Sequence, residues 1–247
     1  MTIDEMQNLI GKPASEVYTA VIDSLPDVQE VAVAKYSVPP PIQVRACLTG
    51  EEQQLVARAV KARETTRLSF LEVLLEMSAS AHHAIDGILD AVSFHQKHSV
   101  NRTWLSRKEI LEGGLLRVCA KPPSSNPLAF LSRVRIGSDS FSQIPLMDFH
   151  VEKSRQSLSM VQSIARRLLD KAYLVLETNR SYHVVGLQLL TEKQAMLFLS
   201  KAILFSPITD HAYIAHQLLE GESALRITGH TNADDVPRLV TVCQREN

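Results

Sequence analysis

The chain has 247 residues, of which 45% are hydrophobic and 21% are charged, and its formal net charge is -1. This composition supplies enough apolar side chains for a sizeable core in one large domain or two smaller ones. The near balance of charges excludes an overall attraction to nucleic acid, so any such contact would have to come from a local patch. No apolar run approaches the ~20 residues that a transmembrane helix needs.

Cysteine usage and the first residues bear on the cellular setting. Cys47, Cys119 and Cys243 are widely separated and match neither a disulfide framework nor a CxxC metal site. The acidic start of the chain lacks the basic flank and apolar stretch of a signal peptide. The sequence therefore predicts a protein of the reducing cytoplasm that does not associate with membranes.

The first hundred residues are predicted to be mainly helical. Apolar spacing indicates helices over residues 14–25, 68–77 and 84–94. A capping-box pattern from Thr49 to Glu52 indicates one more helix start. We expect these N-terminal helices to offer a surface for a protein partner.

Other features interrupt this helical region. Residues 28–36 alternate loosely and form a candidate strand, after which three successive prolines at 39–41 indicate an extended connector. Four histidines are close enough in sequence to suggest a metal site, but no cysteine or HExxH pattern accompanies them, so we expect them to be solvated. They are His82, His83, His95 and His98.

The pattern changes beyond about residue 100. A capping box that begins at Ser106 indicates a short helix, and a glycine pair follows as its stop. We predict strands over residues 115–119 and 128–136. Arg133 and Arg135 would share one face of the second strand, where we expect them either to be solvated or to contact phosphates.

Strands and helices continue in mixed order to the end of the chain. Strands are predicted over residues 144–150, 172–177, 182–185, 223–228 and 238–242, and helices over 152–169, 192–204 and 211–219. This order predicts an α+β fold, in which a mainly antiparallel, palm-like or RRM-like sheet carries helices on one face and leaves the other open to ligands. We place a domain boundary near residue 100, between a helical region over 1–100 and an α+β domain over 101–247.

Four polar side chains are candidates for one site. Asp148 and His150 end an apolar strand, and because strand side chains alternate, both lie on the same face. His183 lies on a later strand, and Asp210 lies near the start of a helix. We expect these four residues to converge.

This arrangement resembles the archaeo-eukaryotic primase superfamily, also called primase-polymerases. Its motifs are an apolar strand that ends in acid-x-acid, a Ser-x-His on a following strand, a later apolar residue followed by an acid, and an Arg-bearing strand near the nucleotide. The matching residues are Asp148 and His150, Ser181 and His183, Asp210 after Thr209, and Arg226. The likeness covers roughly residues 115–242, and the helical N-terminal part shows no relative.

The resemblance implies metal-dependent transfer of nucleotides from NTP or dNTP to a 3′-hydroxyl, in nucleic-acid synthesis, repair or defence. Its implied ligands are nucleoside triphosphates, a DNA or RNA template, and Mg²⁺ or Mn²⁺ in a one-metal or two-metal site. Asp148, His150 and Asp210 are the implied metal-binding and catalytic residues. The implied nucleotide-binding residues are Ser181, His183, Arg180 and Arg226.

One departure from the family pattern leaves several interpretations open. His150 stands where the family has a second acid, and imidazole suits Mn²⁺ or another transition ion better than Mg²⁺. The site is therefore consistent with a changed metal preference, with a single metal, or with nucleotide or nucleic-acid binding without turnover. Glu152 or Glu177 is a candidate for the missing carboxylate. A different class, a protein-interaction scaffold that binds no nucleotide, metal or DNA, is the remaining alternative.

Overall fold

The computed structural model describes residues 1–35, 50–63, 65–66, 70–77, 88, 102–120, 127–229 and 235–244. The predicted helix cap at Thr49, the proline connector, the four clustered histidines and, apart from residue 88, the predicted helix over 84–94 lie outside the described residues. None of the described helices is long and apolar enough to cross a membrane.

The described part of the chain has an α+β fold with two antiparallel sheets, which confirms the predicted fold class. Its helices are α1 (Ile3–Gln7), α2 (Ala14–Ser24), α3 (Gly50–Arg63), α4 (Phe70–Met77), α5 (Arg107–Leu111), α6 (Gly114–Cys119), α7 (Arg155–Leu168), α8 (Glu192–Ile203) and α9 (His211–Glu220). Its strands are β1 (Glu30–Lys35), β2 (Arg102–Ser106), β3 (Leu128–Arg135), β4 (Phe141–Gln143), β5 (Leu146–Asp148), β6 (Tyr173–Glu177), β7 (Tyr182–Gly186), β8 (Ala224–Arg226) and β9 (Arg238–Cys243).

The prediction of a strand over residues 115–119 was wrong, because this segment forms helix α6. Gly113 takes a left-handed conformation with φ 84° after α5, and the chain then enters a new helical turn. Leu115 is fully buried whereas Leu116 is 40% exposed. An apolar run of this length is too short for its periodicity to separate a strand from a helix.

The chain divides into two compact units. One comprises Met1–Ser37 with Lys97–Asn247, and the other comprises Val38–Gln96. In the second unit, α3 and α4 pack through a small core that consists of Leu55, Val56, Ala59, Val73, Leu74 and Ile88. The division differs from the predicted boundary near residue 100, because β1 from the N-terminal part pairs with both β2 and β3.

The first unit contains both sheets. The five-stranded sheet has the order β2-β1-β3-β4, with β8 pairing with β3 as well, and the four-stranded sheet has the order β5-β7-β6-β9. Only Ile144 and Pro145 separate β4 from β5, so the chain passes directly from one sheet to the other. The candidate site lies at the far end of β5.

Two hydrophobic cores cover the faces of the four-stranded sheet. One face packs against the apolar sides of α7, α8 and α9, through residues such as Val161, Phe198 and Ile214. Leu146 and Val185, on the opposite face, belong to a larger core shared with the five-stranded sheet and α2. The face that was predicted to be open to ligands is therefore packed along part of its length.

Candidate functional site

Three chain segments run side by side where β5 ends. On one side β5 pairs with β7, and the Phe149 amide donates to the Tyr182 carbonyl at 3.0 Å. On the other side the His150 amide donates to the Ile208 carbonyl at 2.8 Å. These backbone hydrogen bonds bring the segment before α9 next to the end of β5, so that residues distant in sequence converge.

Asp148 and His183 form the inner part of the site. They are direct partners in the register of β5 and β7, so their side chains leave the sheet on the same face. Asp148 Oδ1 lies 3.6 Å from His183 Nε2, which is a contact but too long for a hydrogen bond. The His183 side chain is 8% exposed, whereas that of Asp148 is 32% exposed.

His150 and Asp210 form the outer part. His150 Nδ1 lies 4.0 Å from Asp210 Oδ2, and the His150 side chain is 70% exposed. Asp210 is also the N-cap of α9, where its Oδ1 accepts a hydrogen bond from the Tyr213 amide at 2.9 Å. The cap fixes one carboxylate oxygen to the helix end and leaves the other directed towards His150.

The protonation of the inner pair is strongly perturbed. Burial first and the negative charge of Asp210 second raise the pKa of Asp148 to about 7. Burial lowers the pKa of His183 to about 3, and the positive charge of Arg226 acts in the same direction. His183 is therefore neutral at neutral pH, and Asp148 titrates there.

Ser181, from the Ser-x-His motif, is held by the backbone after β5. Its hydroxyl donates to the Phe149 carbonyl at 2.6 Å and accepts from the Val151 amide at 3.1 Å. Ser181 is buried, so these bonds fasten the segment that carries His150 to the start of β7. The Ser181 hydroxyl therefore holds the backbone of the site in place through hydrogen bonds that are made within the protein.

The predicted phosphate-binding arginines differ in their surroundings. Arg226 pairs with Asp235 at 3.1 Å and donates to the Thr228 carbonyl at 3.0 Å. Its positive charge nevertheless reaches the site, because it lowers the pKa of both Asp148 and His183. Sequence reasoning missed Asp235, since no local pattern marks it as the partner of Arg226.

Other candidates lie around the rim. Arg180 is exposed in the corner between β6 and β7. Glu177, one candidate for the missing carboxylate, forms a salt bridge with Lys153 at 2.9 Å. Glu152, the other candidate, is exposed. Within the described part of the chain, neither glutamate forms a salt bridge with His150.

The donor chemistry of the site suits a hard divalent cation, but the ligands are not assembled around one. A cation bound between Asp148 and Asp210 would relieve the repulsion that raises the pKa of Asp148. The side chains instead form two pairs, Asp148 with His183 and His150 with Asp210. Among the described residues, no group of three or more His, Cys, Asp or Glu side chains is placed to hold a metal ion.

The Asp-x-His end of β5, the Ser-x-His strand β7 and the acid that caps α9 therefore meet at one end of an antiparallel sheet. Residues 106–240, more than half of the chain, match the family model of archaeo-eukaryotic primase 1D-like proteins. The chain therefore belongs to this archaeo-eukaryotic primase-like family. No curated protein and no solved structure matches it.

Proposed function

We propose that the chain is a primase-like nucleotidyltransferase that adds nucleotides from NTP or dNTP to a 3′-hydroxyl. The observation that supports this most directly is the approach of two acids from separate segments: the Asp210 amide donates to the Asp148 carbonyl at 3.4 Å, and the charge of Asp210 raises the pKa of Asp148. Membership of the primase-like family supports this reaction class. A metal-bound triphosphate is a ligand that such paired carboxylates would accept.

Each residue of the site has a role in this proposal. Asp148 and Asp210 would hold Mg²⁺ or Mn²⁺, with His150 as an additional ligand; the ion supplies neutralisation of the triphosphate and polarisation of its α-phosphate. His183 is neutral, so it would offer a hydrogen bond rather than a charge to a phosphate oxygen. Arg226 would add a positive charge on exchanging Asp235 for phosphate.

The remaining predicted nucleotide ligands act from the edge of the site. Arg180, exposed in the corner before β7, would reach the outer phosphates. Ser181 would act through its hydrogen bonds to the backbone of Phe149 and Val151, by fixing the position of His150. DNA or RNA would serve as the template.

Nucleotide incorporation tests the proposal. Labelled NTP or dNTP is supplied with a primed or an unprimed template and with Mg²⁺ or Mn²⁺ in parallel. We expect extended product from the wild type and loss of product from Asp148→Ala. Asp27→Asn is the matched control, because Asp27 is an exposed aspartate in a turn outside the site. Equal product from Asp148→Ala and the wild type would refute the assignment.

The second candidate function is nucleotide or nucleic-acid binding without turnover. The specific observation in its favour is that the described residues contain no group of three metal-capable side chains around a common point. His150 in place of an acid adds to it, because imidazole is a weak ligand for Mg²⁺. Saturable NTP binding that depends on Asp148, with no incorporation under either metal, would select this candidate.

A further inference from the structure

The outer face of the five-stranded sheet carries a cluster of arginine and aromatic side chains. Strand alternation places them together: Leu105 of β2 points into the larger core, so its neighbour Trp104 points outward. Phe141 of β4 is the register partner of Arg135 in β3 and shares its face. We name this surface the arginine–aromatic face; it consists of Arg102, Trp104, Arg133, Arg135 and Phe141.

The two rings of this face lie near each other, with guanidinium groups against them. The ring centroids of Trp104 and Phe141 are 6.2 Å apart. Arg133 lies 4.5 Å from the centroid of Phe141, and Arg135 lies 5.3 Å from that of Trp104 and 5.6 Å from that of Phe141. Arg102 lies 5.6 Å from the Trp104 centroid. The guanidinium groups therefore lie over the two rings, and the planar cations and the π systems form one layer.

Between Trp104 and Arg102 of β2 and the neighbouring β3, the β1 strand contributes the small side chains of Ala32 and Ala34, and Glu30 follows at its end. Ala32 is the register partner of Trp104, and Ala34 is that of Arg102. Both alanines are almost fully buried. The large side chains of β2 and β3 therefore cover the alanines of β1 and form a continuous layer on this face of the sheet.

Charge is only partly balanced across this face. Arg135 pairs with Glu30 at 2.6 Å, and Arg102 pairs with Glu222. Arg133 is exposed and, within the described part of the chain, forms no salt bridge, although its charge also acts on Glu222. Phe141 beneath it is 37% exposed. One cation and the exposed part of one ring are thus available to a ligand, on the strand whose arginines were expected either to be solvated or to contact phosphates.

We propose that the arginine–aromatic face binds single-stranded nucleic acid. Unpaired bases would stack on the exposed part of Phe141 and on the guanidinium plane of Arg135, and Arg133 would contact the backbone phosphates. A duplex hides its bases and could use only the charges, so it would bind more weakly. The overall charge of -1 makes such a local patch the form that nucleic-acid binding has to take.

This inference goes beyond the proposed function, and either of the two can be wrong while the other is right. The face belongs to the five-stranded sheet, whereas Asp148 and His183 belong to the four-stranded sheet. A strand held on this face could serve as the template of a transferase or could be the only ligand of a binding module. Arg133→Ala should therefore weaken oligonucleotide binding and leave NTP binding at the Asp148 site unchanged.

Fluorescence anisotropy with the full chain tests the inference. The probes are a labelled oligo-dT of about 20 nucleotides and a duplex of the same length. We expect Kd for oligo-dT to rise roughly 5- to 150-fold in Phe141→Leu, which keeps apolar bulk but removes the ring. Arg133→Ala should lower the slope of log K against log salt by about 0.7, whereas Phe141→Leu should leave the slope unchanged.

Arg167→Ala is the matched control, because Arg167 is an exposed arginine on α7 whose hydrogen bonds, among the described residues, go to Ser163 of the same helix. It should bind oligo-dT as the wild type does, and thermal melts of all variants establish that they are folded. The proposal is overturned if oligo-dT does not bind, or if both Arg133→Ala and Phe141→Leu bind it normally. Binding of labelled poly-glutamate instead of oligo-dT, lost in Arg133→Ala, would overturn it in favour of an acidic protein partner.

Discussion

Asp148 and His183 stand opposite each other on paired strands, with Oδ1 and Nε2 3.6 Å apart, and burial shifts their pKa values in opposite directions. The acid is raised to about 7 and the imidazole is lowered to about 3, so both side chains are neutral over the range between these values. The pair has no ionic attraction to hold it together at neutral pH. A cation would have to displace a proton from Asp148.

Cation binding should therefore depend steeply on pH. Because Asp148 must lose its proton, we expect the affinity for Mn²⁺, with or without triphosphate, to rise between about pH 6 and about pH 8. Asp210→Asn removes part of the repulsion and keeps an N-cap residue, so the midpoint should move to lower pH. Titration calorimetry across this range measures both effects, and an Asp210→Asn profile that coincides with that of the wild type would contradict the assignment.

The same two shifts make a prediction about stability. A raised acid pKa favours the folded state at low pH, so the contribution of Asp148 falls as pH rises from 3.8 to about 7. A lowered imidazole pKa works in reverse, so the contribution of His183 rises as pH goes from about 3 to 6.5. In the wild type the two contributions largely cancel over the shared range.

Replacing Asp148 or His183 alone should leave the pH dependence of stability that comes from the other residue. Relative to the wild type, the Tm of Asp148→Asn should increase from about pH 4 to about pH 6.5, because only the His183 contribution remains. The relative Tm of His183→Asn should decrease over the same range. Thermal melts followed by circular dichroism measure these differences. Parallel Tm profiles of the wild type and both variants would show that burial does not perturb this pair.

Local patterns predicted strands β5 and β7 and helix α9, which carry the candidate site, but predicted less of the chain that packs around them. Strand alternation placed Asp148 and His150 on one face from a short apolar run, and the family motifs added His183 and Asp210. The pairing of Arg226 with Asp235 joins segments that no local pattern relates. The predicted open face is partly closed because strands from the N-terminal part of the chain build a second sheet. The sequence did not predict strand β2, because Leu105 is the one residue of this strand that is buried in the core.

Ser181 should contribute more to stability than to ligand affinity. Its hydroxyl makes one buried and one partly buried hydrogen bond to the backbone, and Ser181→Ala would leave the Phe149 carbonyl and the Val151 amide without their partner. We expect a loss of roughly 1–3 kcal/mol in the free energy of unfolding, measured by urea denaturation. Ser138→Ala, at an exposed position in the turn before β4, should be neutral. A stable Ser181→Ala variant that has lost NTP affinity would instead indicate direct contact with nucleotide.

Gly186 should be sensitive to substitution because its strand passes close to the connection between the two sheets. A Cβ at this position would lie 2.9 Å from Pro145 Cγ and 3.2 Å from Leu169 Cδ2, both side chains in packed surroundings. We expect Gly186→Ala to lower the free energy of unfolding by roughly 1–3 kcal/mol, since neighbours that cannot move away must absorb the overlap. Gly137→Ala is the control, because its Cβ would meet only Ser140 at an ordinary 3.5 Å. Urea denaturation of both variants measures the difference, and equal stability of the two would mean that Pro145 and Leu169 can shift freely. The Gly186→Ala variant should also lose part of its NTP affinity, because β5 and β7 hold Asp148 opposite His183.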